Sequence, residues 1–215
     1  MGTILLGHSF MKKIRIREFE RYIFRNPTSD LHMLRQIEIE MTRHQCDGTL
    51  EMSTKATQLR TNQLKQYREN RAAALFTYGM SIVQGHDIFY APVEDQDFDF
   101  ITTWTNQDTQ HYCTVQLKEL VPESLNPNST IEELLEKLGK YGDSRDLTIA
   151  IQINRAGNWN PNSLKLSRKL PLNGIWFFHA SAEDQSKFII WGDWLNDEPC
   201  VGLEFDYPKP LGILF

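Results

Sequence analysis

Cysteine is scarce in this chain: three residues in 215, Cys46, Cys113 and Cys200, widely separated. The odd count and the lack of paired spacing argue against a disulfide framework and lead us to expect a reducing, cytoplasmic compartment. Long hydrophobic runs are also lacking. None approaches the roughly 18 residues that suggest a membrane span, so no membrane partner is expected. The opening MGTILLGHSF is apolar but short, and its basic residues follow it, the reverse of a signal peptide. Positive charge is in deficit, with a net charge of −5 and an isoelectric point of about 5.7. That balance argues against a protein that coats nucleic acid non-specifically, while leaving room for a local basic groove beside an acidic metal site. Internal repeats and the GxSxG, Walker and GxGxxG signatures are absent. The histidines show no ligand spacing: His111 and Cys113 share a strand face without a second pair, and His179 in WFFHA reads as a hydrogen-bonded core or interface histidine. Trp159, Trp176, Trp191 and Trp194 read as packing residues.

What is present is ordinary globular composition, 40% hydrophobic and 24% charged, enough for one sizeable core. We expect a single domain over residues 1–215: a helical segment at 1–54, a core at 55–155 and a β-rich extension at 156–215. Ile14, Phe19, Tyr22 and Ile23, then Leu31, Leu34, Ile37 and Met41, fall at helical spacing. RNPTSD (25–30) splits this stretch into two helices, with Pro27 as breaker and Ser29 or Asp30 as cap. Residues 55–84 predict one long helix, with Glu69, Ala72, Ala73, Phe76, Met80 and Val83 on one stripe and Gly85 as its stop. Three strands follow: DIFYAPV (87–93), DFDFITTW (97–104) and HYCTVQLKEL (111–120). Ser129 and Glu132 fit a capping box before the helix TIEELLEKLGKYG, and LTIAIQI (147–153) is a buried strand. GIWFFHA and KFIIWGDWL then read as a hairpin, and CVGLEF as a last strand. This order predicts an α/β fold, an α+β arrangement with a mixed sheet.

The second and third strands carry the chemistry. Alternate residues of a strand share a face, so Asp97 and Asp99 line one side of the second strand and Gln116 and Lys118 one side of the third. A turn centred on Gln107 and Asp108 sets Asp99 opposite Gln116, each eight positions from it. One or two carboxylates, an amide and a lysine then converge, and the long helix can add Glu69. Carboxylate oxygens bind hard cations such as Mg²⁺, which keep water and substrate phosphate in their shell. Such a cation polarises a phosphoryl oxygen and acidifies a bound water; a lysine beside it orients that water and offsets negative charge. The plain alternatives are solvated ends of the EDQD loop for Asp97 and Asp99, an outer strand face for Gln116 and Lys118, and a solvated helix glutamate for Glu69.

At these residues the chain resembles the PD-(D/E)XK nuclease superfamily. That family has an aspartate on the second strand, acid-x-lysine on the third, and often a glutamate on the first helix, ahead of an apolar stretch and a glycine. FDF supplies Asp99, QLK supplies Gln116 and Lys118, and RENRAAALFTYG supplies Glu69, ten positions before Gly79. The resemblance spans roughly residues 57–153. It implies a restriction-endonuclease-like core of helix, three-strand meander, helix and strand. It also implies Asp99, Gln116, Lys118 and Glu69 as catalytic residues, and Asp99, Asp97, Gln116 and Glu69 as metal ligands. Mg²⁺ is the implied cofactor, with Mn²⁺ as substitute, and DNA the implied partner, gripped by some of Lys55, Arg60, Lys65, Arg68, Lys165, Arg168 and Lys169. A homodimer is an open option. Two departures stand out: no proline directly precedes Asp97 or Asp99, and Gln116 replaces the usual acid. The rival expectation is a nuclease-like domain without activity that serves as a binding module.

Overall fold

The structure is a computed structural model and describes residues 16–48, 64–93, 97–155, 159–165 and 170–208. Two helices, α1 (Ile16–Phe19) and α2 (Pro27–Cys46), precede α3 (Lys65–Gln84). Strands β1 (Phe89–Pro92), β2 (Phe100–Asn106) and β3 (Thr109–Leu120) come next, then α4 (Ile131–Lys137), which runs into a 3₁₀ turn at Leu138–Tyr141. The chain ends with β4 (Ser144–Ile153), β5 (Leu172–Ala180), β6 (Lys187–Gly192) and β7 (Val201–Asp206). This is a mixed α/β fold, and the expected succession of helix, three-strand meander, helix and strand runs from α3 to β4. The expected helix at 55–84 is seen from Lys65; residues 55–63 lie outside the described ones. Among the described residues no helix is long and apolar enough to cross a membrane.

All seven strands join one sheet, in the order of the chain. β1, β2 and β3 pair antiparallel, β3, β4 and β5 run parallel, and β5, β6 and β7 pair antiparallel again. The β-rich extension therefore continues the central sheet. Each face buries its own core. On one, Ala72, Ala73 and Phe76 of α3 meet Phe100, Val115, Ala150, Phe178, Phe188 and Phe205. On the other, Ile131, Leu135 and Leu138 of α4 and its turn cover Leu120, Ile149, Ile151, Ile175 and Phe177. With helices on both faces, β4 is buried without interruption from Leu147 to Ile153, as a central parallel strand should be.

The run Ala72–Thr77 and Gly79 of α3 are buried because α2 lies against the helix from outside. A Cβ on Gly79 would come within 2.9 Å of the Phe205 ring, so this glycine sets how closely α3 sits on the sheet. Gly85 ends the helix in the left-handed region, φ 71°, with its N–H donating to the Ser81 carbonyl at 2.9 Å.

Two helix starts differ from expectation. Pro27 is the first residue of α2 rather than a breaker between helices, a position where its missing N–H costs nothing. The cap is Asn26, whose Oδ1 accepts from the N–H groups of Thr28 (2.9 Å) and Ser29 (3.3 Å). Asp30 instead accepts from the Tyr90 hydroxyl at 2.6 Å. In α4 the cap is Thr130, which accepts from the Glu133 N–H at 3.2 Å, one residue on from the expected Ser129 and Glu132.

Candidate metal and phosphate site

The β2–β3 register places the site. Phe100 faces Val115 and Asn106 faces Thr109, so the two-residue turn falls on Gln107 and Asp108. Both have positive φ, 46° and 62°, which a tight hairpin turn of this length needs. Asp99 extends the ladder by one residue: its N–H donates to the Val115 carbonyl at 2.9 Å, and its carbonyl accepts from the Val93 N–H at 3.0 Å. Its side chain turns onto β3. Oδ2 accepts from the Leu117 N–H at 2.6 Å and from the Gln116 side-chain amide. Gln116 is buried, with 8% of its surface exposed.

Strand alternation sets Lys118 on the same face as Gln116, since their partners across β4 are Ile151 and Ile149 of the α4-side core. Burial lowers the Lys118 pKa, and the Asp99 charge opposes that shift. The Lys118 ammonium lies 5.6 Å from the centre of the Tyr141 ring, and the Lys140 ammonium 5.1 Å from it. The Tyr141 hydroxyl is pushed up by burial, pulled back by Lys140, and pushed up further by Asp99 and Asp97. Asp97, exposed, therefore belongs to the same neighbourhood. The opening residues of the expected site converge, and Lys140 and Tyr141 join them. The sequence carried no signal for those two, because the stretch was readable as a helix but not as ending in a 3₁₀ turn that sets Tyr141 against Lys118.

Glu69 is not brought to this group. It rides on α3, against the opposite face of the sheet, and Lys65 Nζ lies 3.5 Å from its carboxylate. Its stripe does face the sheet, but alternation turns Gln116 and Lys118 away from α3. The β3 residue on that side is Glu119, 3.9 Å from Arg68. Lys65 and Arg68 of the expected basic groove thus both have acidic partners. Lys165 is exposed, and Lys55, Arg60, Arg168 and Lys169 lie outside the described residues.

Among the described residues no three histidine, cysteine or acidic side chains come together as a metal cage. The donors at hand are two carboxylates and an amide, without thiol or imidazole, which suits a hard cation that keeps most of its water. Gln116 can serve such a cation: half a turn of its amide exchanges the N–H donor for the carbonyl oxygen. Comparisons with family models, curated proteins and solved structures return no match.

Proposed function

We propose that this chain is a metal-dependent nuclease that hydrolyses DNA phosphodiester bonds, with a core of the PD-(D/E)XK type. The observation that carries the reading is the hairpin register, which brings Asp99, Gln116 and Lys118 onto one half-buried face. Asp99 is the main carboxylate for Mg²⁺ or Mn²⁺, Asp97 a second one, and Gln116 a neutral oxygen. Glu69 has no part in it. The cation, once bound, polarises the phosphoryl oxygen and acidifies water. Lys118 offers three N–H donors to a phosphate oxygen or an attacking water, and its charge offsets the negative charge of the transition state. Burial lowers its pKa, against the pull of the Asp99 charge. Three free cysteines accord with the cytoplasm as the compartment.

The test is cleavage of plasmid and single-stranded DNA against Mg²⁺ and Mn²⁺ concentration. Lys118→Ala should lower the rate about a hundredfold or more, by analogy with loss of one oxyanion-hole donor. Gln116→Glu should lower the metal concentration needed for half-maximal rate. Asp99 Oδ2 already receives two protein N–H donors, and that observation favours the rival, an inactive binding domain. Wild-type protein without cleavage, and without a Mn²⁺-dependent gain in thermal stability, would decide for it.

A further inference from the structure

A cleft of about 1190 Å³ is lined by none of Asp99, Gln116 and Lys118. It lies beyond the carboxyl ends of the parallel strands β3, β4 and β5, where Pro122, Arg155 and Ser181 line it. In open sheets with parallel strands this edge is where ligands bind, because loops leave the sheet there and strand ends supply polar groups.

One part of the lining is aromatic and uncharged. Trp191 Nε1–H donates to His179 Nε2 at 3.4 Å, and His179 Nδ1 lies 3.0 Å from the Ala180 carbonyl. Both contacts are satisfied together only by the neutral ring with its proton on Nδ1, and burial lowers the His179 pKa in support of that form. Trp159 stands edge-on to His179, ring centres 6.1 Å apart. Three partly buried rings thus line one wall of the cleft, and aromatic rings so placed can stack against a base.

Another part carries arginines, with Glu38, Glu183 and Asp184 in the same lining. Arg68 has its acidic partner only at 3.9 Å, from Glu119, whose other oxygen already takes the Asn154 amide at 2.6 Å. Arg155 is fixed by the carbonyls of Val121 (3.0 Å) and Asn126 (2.9 Å), and Glu123, 3.9 Å away, is mostly exposed. Arg71 is engaged: its Nε lies 3.1 Å from Glu38, and its Nη2 donates to Gln185 Oε1 at 2.8 Å. An amide pair also lines the cleft, Gln152 donating to Asn154 at 3.3 Å. Planar guanidinium groups recognise phosphate, and amides read the edge of a base.

We infer that this cleft binds a nucleoside 5′-phosphate, the base against Trp159, His179 and Trp191 and the phosphate toward Arg68 and Arg155. The unit can come as a free nucleotide or as the 5′-phosphorylated end of a strand. The inference stands on this cleft and does not depend on hydrolysis at Asp99.

The experiment is titration of the full chain with AMP, with a 5′-phosphorylated and a 5′-hydroxyl oligothymidylate, and with inorganic phosphate, without metal, read by tryptophan fluorescence and thermal shift. AMP binding that exceeds phosphate binding at least about tenfold is expected, as is a loss of about tenfold or more in Arg68→Gln, a surface variant that should fold normally. Trp159→Leu should lose AMP and keep what phosphate binding there is. Lys118→Ala should bind AMP as the wild type does, which separates this cleft from the hydrolytic site. Preference for AMP marks a free nucleotide as the ligand; preference for the phosphorylated strand over the hydroxyl one marks a strand end. No response to any nucleotide at millimolar concentration, phosphate binding equal to AMP, or unchanged binding in Arg68→Gln overturns the proposal.

Discussion

Lys118 is a half-buried cation whose position costs stability. Its folded pKa lies below that of the free side chain, so in the window between the two the unfolded chain holds more protons, and stability rises with pH. Below that window the ammonium is charged in both states, and the folded one bears the burial cost. Lys118→Met should therefore raise the melting temperature at neutral pH, modestly because part of the side chain reaches water, and the gain should shrink as pH approaches 10. Thermal unfolding of both proteins across pH checks this; a drop in stability at neutral pH would mean that the Tyr141 contact outweighs the burial cost. Residue positions on the hairpin were legible because a two-residue turn ties each β2 residue to one β3 partner. Glu69 was not, because a helical stripe shows that a residue faces a sheet but not which face of the strands carries the chemistry. Asp97 and Asp99 needed the ladder bonds of Asp99 to be told apart.

At the scale of elements, the β2–β3 turn uses residues that pay for left-handed backbone. Gln107→Asn with Asp108→Gly should stabilise the protein by about 0.5–1 kcal/mol, the relief of two L-residues at positive φ less the entropy of a new glycine. Chemical denaturation measures it; no gain would mean that the flanking ladder already sets the turn. Gly79→Val should lose about 1–3 kcal/mol or more, since its Cβ would press on a Phe205 ring held by Tyr78 and Phe188. Thr130→Ala should cost about 1 kcal/mol through the lost cap on α4. Strand and helix identities were readable because apolar periodicity differs between them. Helix starts slipped by one to four residues because RNPTSD and NPNST each offer several side chains able to cap, and tertiary contacts choose among them: Asp30 is taken by Tyr90, leaving Asn26.

For the whole molecule, the mixed sheet and its two helical faces followed from element order. The continuity of the sheet into residues 172–206 did not, since a hairpin after a long loop could have packed anywhere. Its consequence for stability is plain: Trp176, Phe178, Phe188, Ile190 and Phe205 complete the core under α3, and Ile175 and Phe177 the core under α4. A chain cut after residue 155 should fail to fold, with no protection of α3 amides from hydrogen exchange. A stable, protected fragment would show that the first four strands suffice.

Strand order that repeats chain order also governs how the protein is made. Each strand leaving the ribosome finds its sheet neighbour already synthesised, so pairing can advance with translation and needs few long loops to close. The α3 face has no such advantage. Phe76 must wait for Phe178, about a hundred residues later, and Gly79 for the Phe205 ring in the final strand. A nascent chain of this protein can therefore carry a nearly finished sheet and still present an uncovered helix to chaperones until its last strand has emerged.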